Sequence, residues 1–357
     1  MKNWLFLLFM VLASASISAQ QSNYKVVAYY SGDSASLLQY DFKNITHLIY
    51  GFAHIDSLGK LAVFRAKDTA VLKAFDDIRK QYPHIRTLIA LGGWGGCRSC
   101  SGTFSHPDSI DAFAASVKTF LQRFRLDGID LDWEYPAIPG VPGHPFAASD
   151  RPNFTRLLLR LRQKLGAKKL ITFAAGGFQQ YLDQSVEWKK IEKNVDFVNL
   201  MTYDLVHGYS ERTGHQSSLY TAAANEASVD RCVQFFKKIQ FPLQKVVVGV
   251  PFYIRVFEVT SNHNNGLFQP GRFLYMRGYR RNLDSLTVAN GFVRYWDDRA
   301  KAPYWFNAAR NLFVTGDDQQ SFQYKLDYIR QQQLGGIMFW ELYYDTFQNG
   351  LLELLRF

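Results

Sequence analysis

The chain has 357 residues, 47% of them hydrophobic, with 41 Lys and Arg against 31 Asp and Glu for a formal net charge of +10. The basic residues are scattered and concentrate only at 277–281 (Arg-Gly-Tyr-Arg-Arg), so the charge describes a basic soluble protein rather than a nucleic-acid interface. No run beyond the N-terminus is long and apolar enough to cross a membrane.

Residues 1–19 read as a secretory signal peptide, with Lys2 as the positive start, 4–12 as the apolar core and small residues up to Ala19. The core is too short for a membrane anchor. Secretion, to the periplasm or the extracellular space, is therefore expected, with 20–357 as the mature chain. From there apolar strand-like runs alternate with amphipathic helical runs. Strands are expected at 24–30, 45–53, 85–93, 126–136, 169–175, 195–203, 245–252 and 335–342. Helices are expected at 68–82, 108–124, 153–165, 222–239 and 319–332. Apolar strands alternating with helices imply a parallel sheet buried on both faces. Eight such units imply a closed α/β barrel, the (β/α)8 TIM fold. An open doubly wound sheet would want a Gly-rich turn after the first strand, and Tyr29-Tyr30-Ser31-Gly32-Asp33 does not supply one. The gap between strands seven and eight is too long for a helix and loops, so a small α+β-like insertion is expected at about 257–311.

Cys97 and Cys100 lie in GGWGGCRSCSG. In an exported chain with no second CxxC, a small loop disulfide is a better reading than redox chemistry or half a zinc site. Cys232 falls on an amphipathic helix and is expected to be buried.

The stretch that carries chemistry is LDGIDLDWEYP, residues 126–136. Side chains alternate faces along a strand, so Asp130, Asp132 and Glu134 point one way while Ile129, Leu131 and Trp133 take the apolar face. Three acids in a column repel unless they share protons or a metal neutralises them. In a barrel of this kind, sites form at the C-terminal strand ends. Those ends here bring Tyr29, Trp94, Tyr135, Tyr203 and Trp340 to the same mouth as the acids. Carboxylates beside aromatic faces suit a sugar, whose rings stack on aromatics.

DGIDLDWEYP resembles the DxxDxDxE signature of glycoside hydrolase family 18, in its chitinase branch, and matches at all four acids. Further stretches extend the resemblance over nearly the whole mature chain. It implies a secreted chitinase that cleaves β-1,4 bonds between N-acetylglucosamine units of chitin or its oligosaccharides, with retention and with the substrate's own acetamido group as nucleophile. By the same resemblance Glu134 is the proton donor and Asp132 orients the acetamido group. Asp130 is the inner partner that shares a proton with Asp132. Met201-Thr202-Tyr203-Asp204 resembles the MxYD motif, so Tyr203 joins the catalytic group, and Met201 and Asp204 the substrate-binding one. Tyr29, Trp94, Tyr135, Arg255 and Trp340 are expected to bind substrate, with Trp340 as the floor beneath the sugar and Tyr29 also resembling a strand-one Tyr that helps hold the inner Asp. Asp127, Gly92 and Gly93 are expected to be structural. The family's third strand usually reads SxGG, and Ala90 replaces the Ser that bonds the inner Asp, so Asp130 is expected to lack one donor.

Two neighbouring readings share these features: an endo-β-N-acetylglucosaminidase acting on N-glycans, and a non-catalytic carbohydrate-binding relative. The WEYP tail and the insertion favour the chitinase, and Glu134 argues against loss of catalysis. A metal-dependent hydrolase would need His ligands, and His207 and His215 lack suitable spacing to the acids. No metal, cofactor, nucleic acid or membrane span is expected, and the chain is expected to act as a monomer.

Overall fold

The computed structural model describes residues 24–223, 226–281 and 285–355. The segment read as a signal peptide, 1–19, lies outside the described residues.

Parallel strands β1 (Lys25–Tyr30), β2 (His47–Ile55), β4 (Arg86–Gly92), β5 (Gly128–Asp132), β6 (Leu170–Gly176), β7 (Phe197–Met201) and β8 (Val246–Pro251) pair in chain order, and β2 turns back into a two-residue strand β3 (Leu61–Ala62). After β8 an antiparallel sheet intervenes, formed by β9 (Tyr253–Val259), β10 (Gly271–Gly278), β11 (Val293–Asp297), β12 (Ala302–Asn307) and β13 (Leu312–Thr315). The last strand, β14 (Gly336–Trp340), then pairs with β8 on one side and β1 on the other. Pairing of β1 with β2 closes the ring. The fold is a (β/α)8 TIM barrel, which rules out the open doubly wound sheet.

Strand parity sorts the barrel into two apolar layers. Val27 and Tyr29 of β1, Ile49, Leu88, Ala90, Phe197, Val247 and Met338 fill the interior. Their strand neighbours Val26, Ala28, Leu48, Ile129, Leu131 and Ile337 pack outward against the helices. The helix at Pro107–Arg123 shows the complementary pattern. Pro107 opens it, where a missing N–H costs nothing, and Ile110, Phe113, Ala114, Val117, Phe120 and Leu121 form its buried stripe. Full burial of each large apolar side chain in that stripe contributes about 1.5–3 kcal/mol.

Three elements differ from the sequence reading. β5 stops at Asp132, so Glu134 lies just beyond the strand. Its ladder with β4 ends at Gly92 opposite Asp132, and the next bond is Gly93 N–H to the Asp132 carbonyl at 2.9 Å. The helix expected from 222 begins at Val229, where the Ser228 side chain caps it. The insertion sheet runs from Tyr253 to Thr315, wider than 257–311, because only Phe252 separates the end of β8 from the start of β9. Its two faces bury separate clusters, Ile254, Val256 and Val314 on one and Phe257, Val259 and Phe313 on the other.

Candidate active site

β5 delivers Asp130 and Asp132 to the inside of the barrel, because Ile129 and Leu131 occupy the outward positions. Trp133 continues the outward face and packs against Phe104 and Phe154. Asp130 is 0% exposed, Asp132 4% and Glu134 9%. Such burial of three carboxyl groups on consecutive alternate positions dominates their chemistry.

Asp130 is the best satisfied. Tyr29 Oη donates to its Oδ2 at 2.7 Å, while Thr172 Oγ1 and Asn199 Nδ2 donate to its Oδ1 at 2.5 and 3.0 Å. Asn199 also donates to Tyr29 Oη at 3.1 Å. Burial pushes the Asp130 carboxyl up to about 6, and the three donors hold it back from rising further. The donor expected to be missing at Ala90, which sits beside Asp130 in the β4–β5 register, is thus replaced by side chains from β6 and β7. Sequence reasoning missed both. The available signal was a lone Thr and a lone Asn inside otherwise apolar strands.

Asp132 has no donor at Oδ1, although that atom is buried. Burial raises its pKa well above the ordinary value, and the charges of Glu134 and then Asp130 add to the rise. Glu134 is pushed up to about 8, again first by burial. A hydrogen bond from the Tyr135 side chain opposes the shift, and the charge of Asp204 adds to it. Asp132 and Glu134 also repel each other, so each makes the other harder to ionise.

Around the acids the other residues fall as follows. Met201 ends β7 and is buried in the barrel interior. Tyr203 follows it, half-buried, with its hydroxyl 3.9 Å from Met338 Sδ. Asp204 takes a left-handed backbone, φ 54°, and its carboxylate is clamped from the insertion. Tyr253 Oη donates to Oδ1 at 2.6 Å, and Arg255 donates in a fork from Nε at 2.7 Å and Nη2 at 2.6 Å. The Arg255 guanidinium lies over the Tyr253 and Phe273 rings. Trp340 ends β14, stacked on Phe52 at 5.4 Å between ring centres and tilted on Tyr29 at 5.8 Å. Trp94, 51% exposed, approaches Tyr135 at 6.2 Å and, from across the mouth, Tyr209 at 6.5 Å. Tyr209 and Phe52 were not singled out from the sequence.

Gly92 and Gly93 lie where the β4 end touches β5. Both have positive φ, and a Cβ on Gly92 would fall 2.3 Å from the Asp132 carbonyl oxygen. Asp127 sits at the opposite end of β5, where its Oδ2 accepts from Thr87 N at 2.8 Å and ties β4 to β5. Cys97 and Cys100 are joined by a disulfide in the turn after Trp94, and Cys232 is buried. His215 Nε2 meets Asp297 Oδ2 at 2.9 Å, away from the acids. Among the described residues, no group of three or more His, Cys, Asp or Glu side chains is placed to hold a metal ion.

The family model of the glycosyl hydrolases family 18 matches residues 25–345. Chitinase A1 of Niallia circulans is 33% identical over 312 residues, covering 78% of this chain and 44% of the relative, so the chain spans less than half of that protein. Chitinase B of Serratia marcescens is 30% identical over 386 residues, covering 88% of this chain and 76% of the relative. Among solved structures, a family 18 N-acetylglucosaminidase from Paenibacillus barengoltzii superposes with a TM-score of 0.84 at 33% identity, covering 93% of this chain and 98% of that one.

Proposed function

The chain belongs to the glycosyl hydrolases family 18, and on that footing we propose that this glycosidase is a secreted chitinase hydrolysing β-1,4 bonds between N-acetylglucosamine units. The observation that carries the reading is the buried column of Asp130, Asp132 and Glu134, whose carboxyls burial pushes above their ordinary range. A carboxyl pushed up to about 8 holds its proton at neutral pH, so Glu134 can donate to the departing glycosidic oxygen. The same proton keeps it from acting as a charged nucleophile. As in substrate-assisted members of this family, the substrate's own acetamido oxygen then attacks and configuration is retained.

In this reading the Asp132 carboxyl receives the acetamido N–H and takes up charge as the ring closes. Asp130, held by Tyr29, Thr172 and Asn199, sets how the shared proton divides between the two aspartates. Tyr203 and Asp204 contact the acetamido group, and Arg255 holds Asp204 in place. Trp340 offers its face to the sugar being cleaved, and Met201 and Tyr135 close the pocket beside it. The exposed rings of Trp94 and Tyr209 extend the aromatic surface toward further sugar units. Asp127, Gly92 and Gly93 keep β4 and β5 in register. Two of the relatives are named chitinases and one an N-acetylglucosaminidase, names that suit a substrate built of N-acetylglucosamine.

A product time course on the hexamer of N-acetylglucosamine tests the proposal. Shorter acetylated oligomers should accumulate with the β-anomer formed first. An intact hexamer, or α-anomer formed first, would refute it.

A further inference from the structure

Tyr181 packs beside the acids and has no role in the mechanism above. It lies on the short helix Gln179–Gln184 that follows β6, and it is 0% exposed. Its ring packs on Tyr135 at 5.5 Å between centres, and Gly176 leaves room for it, since a Cβ there would lie 2.9 Å from the Tyr181 ring. Its hydroxyl is buried without a hydrogen-bond partner. That hydroxyl lies within electrostatic reach of Asp132, Glu134 and Asp130, and Asp132 acts on it most strongly. A buried O–H left unpaired is costly, and native structures rarely keep one without a use. Asp132 Oδ1 is the matching orphan, a buried acceptor without a donor. A packing role alone would be served as well by Phe.

We infer that Tyr181 is a further positioning residue for the hydrolysis, its hydroxyl donating to the charged form of Asp132 across a single bridging water. One water between an O–H and a carboxylate oxygen satisfies both and transmits nearly the strength of a direct bond. The inference rests on the proposed reaction, in which Asp132 must carry negative charge. The groups facing Asp132 are Asp130 and Glu134 from its own segment, Tyr29 from β1, Tyr135, Tyr203 after β7 and Tyr181 after β6. None of these is a cation. The charged state of Asp132 therefore depends on neutral donors, and Tyr181 is the one among them with its hydrogen uncommitted.

Tyr181→Phe removes one oxygen and keeps the ring. Loss of the donor makes Asp132 harder to ionise, so the acidic limb of the pH–kcat profile on N-acetylglucosamine oligomers should move up by about one pH unit. Turnover at the wild-type optimum should fall roughly tenfold, with KM nearly unchanged. A second readout needs no substrate. The melting temperature of Tyr181→Phe should match or exceed wild type at low pH, where Asp132 is protonated, and drop below it as pH rises. A superimposable pH profile, or a melting-temperature difference that stays constant with pH, would overturn the inference. Failure of the wild-type protein to cleave any oligomer counts against the proposed activity alone, and the melting comparison still decides the role of Tyr181.

Discussion

Replacing Glu134 by Gln should stabilise the protein in a pH-dependent way while abolishing most of its turnover. The carboxyl titrates near 4.5 in an unfolded chain and at about 8 when folded, because folding buries it beside Asp204. The folded group binds its proton more tightly, so its contribution is fully present below the unfolded value and is lost as pH rises through the folded one. One pH unit corresponds to about 1.4 kcal/mol, which makes the loss about 1 kcal/mol at pH 5, about 3 at pH 7 and about 5 above pH 9. Gln carries no charge at any pH and can still accept the Tyr135 hydrogen bond, so the variant escapes the whole loss. For a chain of this length, about 3 kcal/mol corresponds to a melting temperature roughly 4 °C higher. Thermal unfolding of both proteins from pH 5 to pH 8 measures the difference, and the pH trend cancels any constant effect of the substitution. Turnover should fall at least about a hundredfold, since the proton donor is gone. A melting difference independent of pH would mean that Glu134 is not held protonated by burial, and the acid role would lose its physical basis.

Asn199→Leu removes one donor to Asp130 and leaves Tyr29 with one partner fewer, so the Asp130 carboxyl rises above about 6 and the acidic limb of the pH–kcat profile should shift upward. An unshifted limb would show that this Asn is spectator packing. Lys325 and Asp317 form an ion pair with both side chains 0% exposed, and Lys325 Nζ also donates to Ser217 Oγ at 2.7 Å. Lys325→Met alone strands the carboxylate and should cost about 3–5 kcal/mol in chemical denaturation, whereas Lys325→Met with Asp317→Leu should recover most of it. Equal losses in the single and double variants would contradict that account.

The barrel was legible because parity and composition agree along nearly every strand. In β5 the alternation of Ile129 and Leu131 with Asp130 and Asp132 identifies both the element and the direction of its acids. The ends of elements were less legible. β5 stops where its ladder partners stop, at Gly92, and that is a property of β4 rather than of residues 133–136. The insertion was placed too narrowly because β9 follows β8 with only Phe252 between them, so one apolar run hides two strands of different sheets. Within the site, the column of acids is contiguous in sequence and could be read directly. The groups that tune it come from distant strands, and nothing local to Thr172 or Asn199 names Asp130 as their partner. Ala90 illustrates the cost of reading one position alone: the missing hydroxyl is made good from β6 and β7. Asp204 similarly shows its clamp by Tyr253 and Arg255 only once the insertion is folded over the mouth.

The proposed hydrolysis stands on the substrate supplying the nucleophile. Rates on the N-acetylglucosamine hexamer and on its fully deacetylated counterpart, at equal saturation, test this directly. The acetylated oligomer should be cleaved and the deacetylated one should not, because glucosamine lacks the oxygen that attacks the anomeric carbon. Cleavage of the deacetylated hexamer at a comparable rate would contradict the account and require a nucleophile from the protein.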